Sequence, residues 1–238
     1  MAGALLEVDG LTKRFGGFMA LNRVTIHVNS GERFGLIGPN GSGKTTLINC
    51  VSGSLPADGG RIVFEGHDIT SMPAHRRTRL GIVRSFQIPK PFRSMTVLEN
   101  LGIPLENAAH GRAAEGAGAM EILGTIGLAS KAHLRPAGLT QIEMRKLELA
   151  RAMAARPKLL ISDEAMAGLS SAEVDDILTI LFRLSAQGIT IIMIEHIMRA
   201  VMRFSERIVV LDAGERIAEG TPDEIGRNPA VEKAYLGE

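Results

Sequence analysis

The sequence predicts an α/β fold, with a mainly parallel sheet covered by helices on both faces. Three observations predict it. Short, uninterrupted apolar runs recur at Phe34–Ile37, Ile82–Phe86, Leu159–Ile161 and Ile189–Ile194, as expected of strands buried on both faces. Segments with helical spacing fall between these runs, and strand–helix alternation implies layers joined by right-handed crossovers. With 238 residues, 45% apolar and 22% charged, the chain can bury a large core and is too apolar for disorder.

In chain order, Leu5–Val8, Val24–Val28 and Arg61–Phe64 mix β-branched and apolar residues between turns containing Gly, Asn or Asp, and read as strands. Thr45–Val51 reads as a helix behind a glycine loop. Asn107–Ala119, rich in Ala and Gly, reads as a loose connection or a weak helix. Glu143–Ala155 places Met144, Leu147, Ala150 and Met153 at helical spacing. Ser171–Ser185 gathers Val174, Ile177, Leu178, Leu181 and Phe182 on one face, with Ser170 as its cap. Ile208–Leu211 and Glu215–Ala218 flank Asp212-Ala213-Gly214, a hairpin signal. No repeat at solenoid period is visible.

Composition excludes several function classes. Lys plus Arg (27) nearly balances Asp plus Glu (26), a net charge of +1, so no global field argues for nucleic acid or an anionic membrane. One tyrosine and no tryptophan weaken any base-stacking role. The single cysteine, Cys50, fits a reducing compartment and reads as a small buried thiol. No apolar run approaches a membrane span, and Met1 to Asp9 carries no signal-type pattern. The expectation is a cytoplasmic chain that meets a membrane only through a partner.

The strongest motif is Gly38-Pro39-Asn40-Gly41-Ser42-Gly43-Lys44-Thr45, followed by Thr46. It matches the phosphate-binding pattern G-x-x-x-x-G-K-[ST], with a predicted strand before it and a helix after it. Glycines let successive N–H groups turn toward phosphate oxygens, and the helix N-terminus adds its positive end. Lys44 reaches the outer phosphates, and the Thr45 hydroxyl is a ligand for Mg²⁺.

The run Leu159–Ile161 continues through Ser162 into Asp163-Glu164. Ligands of open α/β sheets sit at the carboxyl ends of strands. There Asp163 can hold Mg²⁺ and Glu164 can polarise an attacking water, although an acidic pair also suits a helix start. Two further apolar strands end in polar residues, one at Gln87 and one at Glu195-His196. Four strands would thus bring a glycine loop, Gln87, Asp163-Glu164 and His196 to one sheet edge.

This order resembles the nucleotide-binding subunit of ABC transporters, and the resemblance covers essentially the whole chain. Phe15-Gly16-Gly17, Gly81 to Gln87, Met95 to Leu101 and the ending Ala234-Tyr235-Leu236-Gly237-Glu238 are similar to the ATPases of branched-chain amino acid importers. The resemblance implies a P-loop NTPase (RecA-like) core in a single cassette domain over 1–238. An N-terminal antiparallel β subdomain and an α-helical subdomain inserted over 89–155 complete the ABC ATPase fold. It implies ATP and Mg²⁺ as cofactors, Phe15 against adenine, Gln87 sensing Mg²⁺ and the membrane subunit, Glu164 as catalytic base and His196 at the γ-phosphate. Lys90 to Leu101 would line the groove for a membrane-subunit helix. Partners would be integral-membrane permease subunits, a second ATPase subunit (the same chain or a different one) and, indirectly, a solute-binding protein, at the cytoplasmic face of the membrane and without nucleic acid. The implied work is import of a branched-chain amino acid or similar small polar solute. Export, lipid extraction and a non-transport nucleotide switch stand as alternatives.

The sequence departs from the family at its signature. The L-S-G-G-Q positions read Leu139-Thr140-Gln141-Ile142-Glu143, acting in trans on the partner's ATP. A β-branched Ile142 replaces a glycine, and the Glu143 carboxylate would repel a triphosphate. Two outcomes stay open. Either the site that this signature completes is weakened, or Thr140 with a helix starting at Glu143 suffices. Ala165 stands where the family has proline. Arg76, Arg77, Arg79 and Arg84 form a basic cluster read as a solvated face.

Overall fold

The computed structural model describes residues 4–85, 90–108 and 116–236. Two strands open the chain, β1 (Ala4–Phe15) and β2 (Phe18–Asn29). They pair antiparallel around Gly16-Gly17, with Phe15 opposite Phe18. β1 runs well past the expected Val8, because Asp9-Gly10 is absorbed as an irregularity in the ladder, with Gly10 at φ 55°. Then follow β3 (Arg33–Ile37), α1 (Lys44–Ser52), β4 (Gly59–Phe64), β5 (His67–Asp68), α2 (Ala74–Leu80) and β6 (Ile82–Ser85). Three helices come next, α3 (Val97–Ala108), α4 (Gly116–Ile126) and α5 (Gln141–Ala154), and they pack on one another. The chain continues as β7 (Leu159–Asp163), α6 (Ser171–Ala186), β8 (Thr190–Ile194), α7 (Met198–Phe204), β9 (Arg207–Asp212) and β10 (Glu215–Gly220). It closes with α8 (Pro222–Gly226) and α9 (Pro229–Leu236).

Two sheets result. One has the order β2-β1-β4-β5 and is antiparallel; the other has the order β10-β9-β3-β8-β7-β6. In the larger sheet only β10 runs against its neighbour. β9 and β10 form the predicted hairpin, with Ala213 and Gly214 both at positive φ, the backbone that a tight hairpin turn demands.

Period-2 geometry divides the larger sheet between two cores. Phe34, Leu36, Leu159, Ile161 and Leu211 face α1 and the antiparallel sheet. Ile37, Leu160, Val210 and Met193 face the helices, among them α5, α6 and α7. α1 is therefore held between two sheets. Cys50 on α1 is buried, and burial pushes its thiol up to about 11, as suits an inert packing residue.

Two arginines of the basic cluster correct the solvated-face reading. Arg77 is 2% exposed. Its guanidinium donates to the carbonyls of Cys50, Val51, Thr70 and Met72 at 2.6–2.9 Å. Two of those belong to the C-terminal end of α1, where carbonyls lack intrahelical partners and a cation complements the helix dipole. Arg84, on β6, points inward as well and pairs with Asp163.

Candidate active site

The loop between β3 and α1 carries the phosphate-binding pattern. Gly38 packs so tightly that a Cβ there would stand 2.1 Å from the Leu211 carbonyl oxygen, and Gly43 (φ 103°) has a left-handed backbone. Only glycine meets both demands without strain. α1 starts at Lys44 with no side-chain cap and no acid in its first turn. Its positive end faces the loop.

Lys44 is 6% exposed. Its Nζ donates to the carbonyls of Gly38 (2.7 Å) and Pro39 (2.9 Å) and approaches Ser42 Oγ at 3.3 Å. Burial lowers its pKa, and the charges of Glu164 and Asp163 oppose that shift. An ammonium held on carbonyls can transfer to phosphate oxygens by exchanging acceptors.

Asn40, Gly41, Ser42, Gly43, Lys44, Thr45 and Thr46 line one pocket of about 260 Å³ together with Phe15, Glu164 and His196. The structure thus brings together loop, base candidate, histidine and aromatic. Glu164 follows β7 with φ 48°, a left-handed conformation costly for a residue with a Cβ. Its N–H donates to the Ile194 carbonyl at the end of β8 (2.9 Å), and its Oε1 lies 3.1 Å from His196 Nε2. The tight turns after β7 and β8 therefore hold the two side chains in register.

Phe18 also lines the pocket, and the motif reading missed it. Phe15 and Phe18 are 50% and 63% exposed and face each other across the Gly16-Gly17 turn. The repeat of Phe on either side of a glycine pair was the available signal.

Asp163, buried at the end of β7, accepts from Arg84 Nε at 3.1 Å and from its Nη2, while Arg84 Nη1 donates to Asn49 Oδ1 at 2.6 Å. Thr45 and Asp163 are hard oxygen donors, the chemistry that Mg²⁺ takes. Among the described residues no group of three or more His, Cys, Asp and Glu side chains is arranged to hold a metal ion. An ion here would complete its shell with phosphate oxygens and water. Gln87 lies outside the described residues, as do Phe86, Pro89, Gly237 and Glu238.

The signature segment is corrected in two respects. α5 begins at Gln141 rather than Glu143, with Thr140 as its N-cap. Glu143 sits in the first turn and closes a capping box: Thr140 Oγ1 accepts from Glu143 N (3.4 Å), and Thr140 N donates to Glu143 Oε2 (2.9 Å). Lys131 Nζ lies 2.6 Å from the other oxygen, so the carboxylate is neutralised locally and held below the usual carboxylate range. Leu139, Gln141 and Ile142 are not among the residues that line the Lys44 pocket of their own chain.

The family model described as ABC transporter matches residues 21–167, more than half of the chain. The chain belongs to the ABC transporter family. It is the ATP-binding, ATP-hydrolysing subunit of such a transporter. A second family model, described as branched-chain amino acid ATP-binding cassette transporter, matches 215–238 of the cassette. The cassette is 39% identical to the high-affinity branched-chain amino acid transport ATP-binding protein BraF of Pseudomonas aeruginosa, over 100% of both chains. It is 41% identical to the probable branched-chain amino acid transport ATP-binding protein LivG of Archaeoglobus fulgidus, over 98% of this chain and 95% of that one. Among solved structures, it is similar to an ATP-binding cassette of an ABC transporter in its ADP conformation (TM-score 0.89, 33% identity, 99% and 100% of the two chains). It is also similar to a cassette dimer in a post-hydrolysis state bound to ADP and phosphate (TM-score 0.81, 25% identity, 91% and 98%).

Proposed function

We propose that the cassette powers import of a branched-chain amino acid or similar small polar solute, by closing as a head-to-tail dimer on two ATP molecules. The observation that carries the chemistry is the convergence of Lys44, Glu164 and His196 on one pocket with the phosphate loop. The likeness of the whole chain to BraF and LivG supports the cargo.

The residues divide the work. Backbone N–H groups from Asn40 to Thr46 cradle the phosphates, and Lys44 moves from the Gly38 and Pro39 carbonyls to the outer ones. Phe15 and Phe18 flank the adenine. Glu164 orients and deprotonates the attacking water, and His196, bonded to Glu164, meets the γ-phosphate. Thr45 and Asp163, with Gln87, would hold Mg²⁺, which would supply positive charge to the phosphates. To hold it, Asp163 would give up its pairing with Arg84. Leu139 to Glu143 act on the partner's nucleotide, in keeping with their place away from the pocket of their own chain.

The three packed helices α3 to α5 form the inserted subdomain over 89–155, within a single cassette domain. A second cavity of about 420 Å³ lies where α2, α3 and α5 meet, lined by Arg79, Ile103, Arg151 and Arg156 among others. Of the expected Lys90–Leu101 segment, Phe92 lines it. It receives the helix of an integral-membrane permease subunit, which places the cassette at the cytoplasmic face of the membrane and links it indirectly to a solute-binding protein. No helix among the described residues is long and apolar enough to cross a membrane.

Hydrolysis of MgATP by the purified chain over a series of protein concentrations tests the reading. The rate should climb faster than linearly, and Glu164→Gln should bind ATP while turning over at least about 100-fold more slowly. A linear dependence would reject the dimer, and an undiminished Glu164→Gln rate would reject the base.

A further inference from the structure

The C-terminal helix reaches the phosphate loop. Tyr235 on α9 is the only tyrosine in the chain. Its ring is partly exposed, but its hydroxyl turns inward and accepts a hydrogen bond from the Gly38 N–H at 2.9 Å. The two residues are 197 positions apart.

The position of Gly38 explains why that bond matters. The parallel ladder between β3 and β9 ends at Ile37 opposite Val210. The next N–H therefore lies beyond the sheet and needs an acceptor of another kind. Gly38 has no room for a side chain against the Leu211 carbonyl, so it cannot supply an acceptor of its own. Its own carbonyl is the nearer of the two backbone acceptors of Lys44 Nζ. Hydroxyl, peptide and ammonium thus form one line from α9 to Lys44. Farther along the loop, the Ser42 carbonyl accepts from Gly214 N (3.1 Å) in the β9–β10 turn. The loop is tied at both ends to the last quarter of the chain. Burial raises the Tyr235 pKa, which keeps the hydroxyl neutral.

We infer that Tyr235 is a positioning residue of the ATP site: its hydroxyl fixes the Gly38 peptide and so keeps the phosphate loop in its binding-competent form. The inference rests on the reading of Gly38 to Thr46 as the ATP site. A loop that spends less time in the competent form binds with an affinity reduced by that fraction. The loss falls on nucleotide affinity, because Tyr235 is not among the residues that line the pocket with Glu164 and His196.

Tyr235→Phe removes the acceptor and keeps the ring. Titration of the full chain with a fluorescent MgATP analogue should show Kd raised about two- to tenfold, the scale of one hydrogen bond. KM should rise with it rather than kcat falling, and amide exchange at Gly38 should accelerate. Leu236→Ala, the exposed neighbour, should leave Kd as it was. An unchanged Kd in Tyr235→Phe overturns the inference, as does an equal rise in Leu236→Ala, which would assign the effect to the helix as a whole. Lys44→Ala separates the two levels. If it loses nucleotide while Tyr235→Phe does not, the site stands and the positioning role falls; if it binds as wild type, both fall.

Discussion

α1 and α5 both begin at residues that the family reading connects with ATP, and they begin in opposite ways. α1 follows Gly43, which has no side chain, and carries no acid in its first turn. α5 follows Thr140 and closes a capping box with Glu143, whose carboxylate also meets Lys131. α6 and α8 use the same box, with Ser170–Glu173 and Thr221–Glu224. The phosphate-binding helix is therefore defined by an omission. Its N-terminal N–H groups and its dipole are left for an anion from outside, whereas α5 answers its own N-terminus with its own carboxylate. A phosphate brought to the start of α5 would meet a neutralised edge rather than an open positive one.

Giving α1 the acid that α5 carries breaks the contrast with the largest effect. Thr46 is the third residue of α1, as Glu143 is of α5. A carboxylate a few ångströms from a triphosphate opposes it by several kcal/mol at about ε 20. Thr46→Glu should cut ATP affinity about 100-fold or more and leave the melting temperature level or higher, since an acid suits a helix start. Affinity within threefold of wild type would show that the open start of α1 is not what binds phosphate.

The next effect concerns the loop joining the two regions. Met166 N donates to Glu195 Oε1 at 2.8 Å, and Arg145 of α5 donates to the Ala167 carbonyl at 3.2 Å. Glu195 is buried, and burial, helped by the charges of Glu164 and Asp163, holds its carboxyl up at about 7. Between about 4.5 and 7 the native chain keeps a proton that the unfolded chain has lost. The stability present below that window is therefore lost as pH rises through it, on the order of 3 kcal/mol. Urea melts at pH 5 and pH 8 should show this slope in the wild type and a flatter one in Glu195→Gln, which keeps the acceptor for Met166. An equal slope in both proteins would mean that Glu195 titrates normally. The smallest change sharpens the contrast from the other side: Thr140→Ala should cost about 1 kcal/mol of stability, read from the shift of the urea midpoint. No loss would mean that the box at α5 contributes nothing to closing that helix start.

The phosphate loop was legible because its chemistry and its spacing are local, and the central strands because burial on both faces leaves an unbroken apolar run. The start of α5 was also written locally. Thr140-Gln141-Ile142-Glu143 has the spacing of a capping box, although the family signature makes the same residues look like a defect. β1 was cut short because Asp9-Gly10 has the composition of a turn, and only pairing with β2 and β4 shows that the strand runs through it. Arg77, Arg84 and Tyr235 were not legible at all. The partners that turn them inward include Cys50 and Val51, Asp163 and Gly38, which are 26 to 197 positions away. Nothing in a run of arginines or at a helix end marks which side chain turns inward.

The strand order has a consequence for how the cassette is made. β3 and its phosphate loop leave the ribosome early, yet their neighbours in the sheet, β8 and β9, come from residues 190–212. Until those emerge, a five-residue strand that is almost wholly buried in the finished sheet waits without partners, exposed to aggregation as unpaired strands are. The Tyr235 bond to Gly38 comes later still. The phosphate loop is thus synthesised early but framed late, once β8 and β9 and finally α9 have emerged.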